Sequence, residues 1–156
     1  MDQLRILKGK VISKIGRLGA TGNFSFLSAD GKEYWLRVET GFRFRTGERT
    51  LIGNLDMFEP ADTMRSSPSF DWDTFEWDVK GFNRYDEWAV KFLKEHQGRT
   101  TVREITVNNF GDLALTFDDG TMLEVFLNAA HEECWRFFEH DDPEHLVMMG
   151  EGLEKG

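Results

Sequence analysis

The chain has 156 residues, 40% hydrophobic and 30% charged, with a net charge of −9, which suits one domain and leaves no basic excess for blanket binding to nucleic acid or anionic membrane. A single cysteine, Cys134, excludes an internal disulfide framework. No apolar run approaches a membrane span and the opening MDQLRILKGK lacks a signal-peptide stretch, so a cytoplasmic location is expected. The charge is uneven: residues 1–50 hold ten Lys/Arg against five Asp/Glu, residues 56–90 three against nine, and residues 118–156 two against eleven.

In chain order, Val11–Ile15 reads as a first strand, and Gly16, Gly19 and Gly22 follow with a spacing that fits neither nucleotide-binding fingerprint. They are expected to permit a bend. A hairpin follows: Phe24–Leu27, an Asp30-Gly31 turn, and Glu33–Val38. Phe42-Arg43-Phe44 continues the strand pattern, and Pro60 to Pro68 reads as a loop. Tyr85, Trp88, Ala89, Phe92 and Leu93 recur at helical spacing, which predicts a helix over about 84–97 with Asn83 as N-cap and Gly98 as stop.

The second half then repeats the first. Val102–Thr106 parallels Val11–Ile15, and Leu113–Phe117, Asp119-Gly120 and Met122–Leu127 restate the hairpin eighty-nine positions on. Trp135-Arg136-Phe137 matches Phe42-Arg43-Phe44, and residues 149–154 match 51–56. The expected fold class is α+β: one domain over 1–156 holding two tandem diverged antiparallel units, about 11–56 and 102–154, with about eight to ten short strands. A linker and one amphipathic helix over 60–98 join the units.

Two segments hold candidate chemistry. In Phe70-Asp71-Trp72-Asp73-Thr74-Phe75-Glu76-Trp77-Asp78, four aromatics interleave with four acids. Such a surface attracts basic side chains and repels nucleic acid; alternatively the rings complete the core and Asp73 or Thr74 caps a helical turn. In the second segment, His131, Cys134, His140 and His145 are zinc-ligand types within fifteen residues, but at no compact zinc spacing. No cofactor is expected, and no nucleophile with an orienting base and oxyanion hole is identifiable, so no enzyme is expected.

Phe70–Asp73, Asn109–Leu113, Leu123–Phe126 and Trp135–Phe138 together resemble a family of small uncharacterised bacterial proteins, over most of residues 5–153. Leu127 stands where that pattern has a proline. In size and charge the chain is similar to toxin-immunity proteins. That resemblance implies a non-enzymatic cytoplasmic protein that binds a protein partner, a basic toxin domain, and no catalytic residue comes with it. The residues expected to meet the partner are Asp71, Asp73, Glu76 and Asp78, then Asp141, Asp142 and Glu144. Two alternatives stand beside this: a small-ligand or metal-binding module, and a structural subunit of a homo-oligomer.

Overall fold

The computed structural model describes residues 2–96 and 99–155. The first half forms β1 (Val11–Leu18), β2 (Thr21–Leu27), β3 (Glu33–Val38), β4 (Gly41–Arg45) and β5 (Thr50–Gly53). Two helices follow, α1 (Asp62–Arg65) and α2 (Arg84–Glu95). The second half forms β6 (Val102–Val107), β7 (Leu113–Phe117), β8 (Met122–Phe126), β9 (Glu133–Glu139), β10 (Leu146–Met149) and β11 (Gly152–Lys155). These eleven strands make two antiparallel sheets, ordered β1-β2-β3-β9-β10-β11 and β5-β4-β8-β7-β6. The fold is thus mainly β, with more strands than the sequence suggested.

Alternation decides which face of each strand is buried. Tyr34, Leu36 and Val38 are buried along β3, as are Leu113, Leu115 and Phe117 along β7. The two sheets meet through aromatic rings. Phe24 of the first sheet lies edge-on to Phe42 and Phe44 of the second, with centroids 5.2 and 5.6 Å apart. A side chain at Gly22 would collide with the Phe42 ring, whose nearest carbon lies 2.7 Å from the Cβ position; this glycine makes room for core packing.

Each half sends its first three strands into one sheet and then crosses to the other. There β4 pairs with β8, and β9 pairs with β3. The hairpin turns share the same backbone bonds. Gly31 N–H donates to Ser28 O at 3.0 Å, and Gly120 N–H to Phe117 O at 3.0 Å. Asp30 and Asp119 each accept the N–H two residues on, and only the glycines take positive φ, +86° and +85°. These are three-residue loops with the glycine in the left-handed position. Both first strands carry an irregularity, between Ile12 and Lys14 and between Val102 and Glu104. Ile12 lies opposite Phe26 and Ile105 opposite Leu115, so pairing aligns Val11 with Glu104, not with Val102, and the two irregularities fall two positions apart. Strand pairing likewise aligns Phe42, opposite Val125, with Phe137, opposite Leu36, two residues beyond Trp135.

Residues 51–56 and 149–154 do not correspond. The first segment ends β5 and enters a 3-10 turn over Asn54–Phe58, whereas the second ends β10 and begins β11. The Asp56 carboxylate accepts the Gly53 N–H at 2.8 Å and curls the chain there.

Helix α2 lies over the sheets with Tyr85, Ala89 and Phe92 buried. Trp88 is half-buried, tilted against Phe44 at 5.0 Å and stacked on Phe92 at 4.8 Å. Asn83 caps the helix by accepting the Asp86 N–H at 2.7 Å; Gly98, expected as its stop, lies outside the described residues. The segment from Pro60 to Pro68 is not all loop, because α1 forms a turn within it. Glu87 holds that turn's exposed N–H groups, accepting from Asp62 at 3.0 Å and Thr63 at 3.3 Å.

Candidate protein-binding ledge

The acidic aromatic segment is held against the end of β1 by one buried arginine. Arg17, with 4% of its side chain exposed, grips both Asp86 carboxylate oxygens at 2.9 and 3.0 Å. Its remaining donors reach Asp78 Oδ1 at 2.8 Å, Gly19 O at 3.1 Å and Asp78 O at 3.1 Å. Burial pulls the guanidinium pKa down, but the bonds to Asp86 and Asp78 outweigh it and raise it. Asp86 also accepts the Gly81 N–H at 2.9 Å and Asn83 Nδ2 at 3.2 Å. Asn83 Nδ2 donates again to Trp77 O at 2.9 Å. The Arg17 guanidinium lies 5.6 Å from the Trp77 ring centre.

Beside this clamp, Tyr85 donates its hydroxyl to Gly16 O at 2.9 Å; burial, then the Asp86 charge, push that phenol's pKa up. Arg84 pairs with Asp56 at 2.9 Å and tethers the 3-10 turn that carries Phe58. Two backbone bonds, Ala61 N–H to Phe82 O at 2.7 Å and Arg84 N–H to Glu59 O at 2.8 Å, stitch the two sides of the insertion. A long connection between β5 and β6 is thereby fixed in shape.

What it presents outward is a ledge of large apolar side chains. Trp72 is 54% exposed, Phe58 42% and Phe82 40%. Phe70, Trp72 and Phe75 form a three-ring cluster with centroids 5.3 to 6.2 Å apart. Phe58 meets Trp77 edge-on at 4.8 Å. A cleft of about 510 Å³ opens beside the cluster, lined by Met64, Phe70, Phe75 and Phe82 among others. The rings therefore form a surface cluster of their own and do not complete the core.

The acids divide. Asp73 and Glu76 are exposed to water. Asp71 accepts the Asp73 N–H at 2.9 Å and caps the 3-10 turn Trp72–Thr74, the role expected of Asp73 or Thr74. Asp78 is engaged by Arg17. Asp141, Asp142 and Glu144 lie at the other end of the first sheet. Strand pairing places Arg17 with Gly22 and Val38 at one end, and Val11, Leu27 and Glu33 at the other. His140 N–H bonds to Glu33 O at that second end. The two acidic groups are thus separated by roughly 20 Å, the length of a strand of this size. Asp141 holds a positive φ of 63°, and Asp142 accepts the Glu144 N–H at 2.9 Å, a turn-forming bond.

The four zinc-ligand types are dispersed. His131 is exposed and pairs with Glu151, while His140 is exposed beside Asp141 at 3.5 Å. Cys134 is buried, and burial pushes its thiol pKa up. His145 stacks on Phe138 at 4.1 Å and accepts from Arg136 at 3.0 Å. Among the described residues no group of three or more His, Cys, Asp or Glu side chains is placed to hold a metal ion. The Asn109–Leu113 motif serves a turn: Asn108 Oδ1 accepts the Phe110 and Asp112 N–H groups, and Trp135 Nε1 donates to Gly111 O at 3.0 Å.

Sequence reasoning missed Arg17, Asp86, Phe58 and Phe82. Arg17 is separated from Asp78 and Asp86 by 61 and 69 residues, so no local spacing signals it. Among the described residues no helix is long and apolar enough to cross a membrane. No known protein family matches the chain, and no curated protein or solved structure matches it.

Proposed function

We propose that this chain is a non-catalytic binding protein whose ledge, residues 58–82, docks a basic protein partner, and that it neutralises a toxin domain by covering it. The observation that carries this reading is the exposed ring set Trp72, Phe58 and Phe82 on a clamped scaffold, flanked by the free carboxylates of Asp73 and Glu76. Exposed Trp and Phe on a pre-shaped surface supply binding energy with little ordering entropy, and flanking acids steer a basic partner.

The test is capture from lysate of the source cells on immobilised protein, washed at about 50 mM salt, where long-range attraction is least screened. A basic protein retained by the wild type should be lost from the triple variant Trp72→Ala, Asp73→Asn, Glu76→Gln. Co-expression with that protein should rescue growth with the wild type alone. Equal retention by both forms would remove the ledge from the interface.

We also infer that the two halves descend from one duplicated β unit. Support comes from hairpin turns with the same bonds eighty-nine positions apart and from the mirrored crossovers β4–β8 and β9–β3.

A further inference from the structure

The acidic aromatic segment holds two Trp-Asp pairs, Trp72-Asp73 and Trp77-Asp78, and an arginine sits against the ring of each. At Trp77 the arrangement is complete. The Arg17 guanidinium lies 5.6 Å from the ring centre and bonds to the carboxylate of the next residue, Asp78, at 2.8 Å. At Trp72 it is half complete. The Arg65 guanidinium lies 5.4 Å from the ring centre, but among the described residues neither Arg65 nor Asp73 makes an ion pair. Asp62, one turn before Arg65 on α1, pairs instead with Arg84 at 3.7 Å.

Residues 58–82 hold six acids against two bases, Arg65 and Lys80. In that setting an arginine lying on a ring shows what the ring attracts: a planar guanidinium is drawn to a tryptophan face by its quadrupole and by stacking. Trp72 is 54% exposed and Arg65 is itself exposed. The Arg65 side chain is held by no other bond among the described residues, and α1 closes through its backbone, Arg65 N–H to Ala61 O at 2.9 Å. The guanidinium is therefore able to leave the ring without unwinding the turn.

We propose that Trp72 and Asp73 form the seat for an arginine side chain of the basic partner, and that Arg65 occupies this seat until the partner's arginine displaces it. The proposal deepens the reading of the ledge as a docking surface and rests on it. The incoming arginine gains the Asp73 carboxylate, which Arg65 leaves unused. An internal competitor lowers apparent affinity by the fraction of time the seat stands empty. For an exposed cation–ring contact of ordinary strength that fraction is about one-sixth to one-third.

The experiment is a titration of the full chain with the peptides acetyl-Gly-Arg-Gly-amide and acetyl-Gly-Lys-Gly-amide, followed by amide chemical shifts. The arginine peptide should shift residues 62–65 and 71–76 and bind more tightly than the lysine peptide of equal charge. Arg65→Ala should tighten the arginine peptide about three- to sixfold. Lys80→Gln removes the same charge from the ledge without vacating the ring, and should change affinity less than about twofold. Trp72→Ala should abolish binding, and Asp73→Asn should weaken it, with native shift dispersion elsewhere in both. Unchanged affinity in Arg65→Ala, an equal gain in Lys80→Gln, equal affinity for the two peptides, or shifts centred elsewhere would each overturn the proposal. Those results leave the ledge itself to the capture test, where retention of a basic protein by the wild type and its loss from the triple variant uphold docking without an arginine seat.

Discussion

Arg17 carries more of the site than any other side chain, because one guanidinium satisfies a strand end, a loop and a helix together. Removing it would strand the Asp86 carboxylate, whose side chain is 9% exposed. Breaking a buried pair by deleting one partner is far worse than never having had it. Arg17→Met is therefore expected to lower the unfolding free energy by about 3–5 kcal/mol in urea titration; a loss below about 1 kcal/mol would show that the clamp is dispensable. A milder acid response should come from Glu133. Hydrogen bonds from Arg136 hold its carboxyl below the ordinary glutamate range, with burial opposing. The folded value is the depressed one, so this contribution is present above the ordinary value of 4.5 and lost as pH falls through the lower folded value. Glu133→Gln should flatten the acid limb of the stability profile below about pH 4.5. At this scale the sequence is a partial guide. It marked Asp71, Asp73, Glu76 and Asp78 as one acidic group, but could not say that Asp71 caps a turn and Asp78 meets Arg17, since both roles depend on three-dimensional neighbours.

At the level of elements, local pattern and structure agree where one signal dominates. The hairpins at Gly31 and Gly120 and the cap at Asn83 were legible, because turn and cap chemistry reside in a few adjacent residues. The chain after β5 was not, because similar letters at 51–56 and 149–154 hide different closures: Asp56 curls the first, whereas the second continues as β10 and β11. A side chain at Gly31 or Gly120 would meet nothing within 4 Å, so only the positive φ penalises it. Gly31→Ala and Gly120→Ala should each cost about 1 kcal/mol and differ by less than about 0.5 kcal/mol. Within α2, Phe92→Ala should cost about 3–5 kcal/mol as a buried aromatic truncation. Trp88, half-buried, should cost less, about 2 kcal/mol. A Trp88 loss exceeding that of Phe92 would contradict the observed burial order.

Across the molecule, neither half owns a sheet. The first sheet takes β1 to β3 from one half and β9 to β11 from the other, and the second mixes them the opposite way. Separate fragments covering residues 1–58 and 99–156 should remain unfolded alone. The full chain should unfold in one transition, with far-UV and tryptophan signals coincident. The same interleaving gives the insertion between β5 and β6 a platform, on which Arg17 and Arg84 hold the proposed binding ledge in place. The most direct measurement of that idea is calorimetric titration of the captured basic partner into the wild type and into the triple variant Trp72→Ala, Asp73→Asn, Glu76→Gln. One aromatic hot spot and two charge contacts predict a dissociation constant at least about thirtyfold weaker for the variant, at an unchanged melting temperature, with the gap narrowing as salt rises. An unchanged dissociation constant for a folded variant would place the partner on another face and contradict the account.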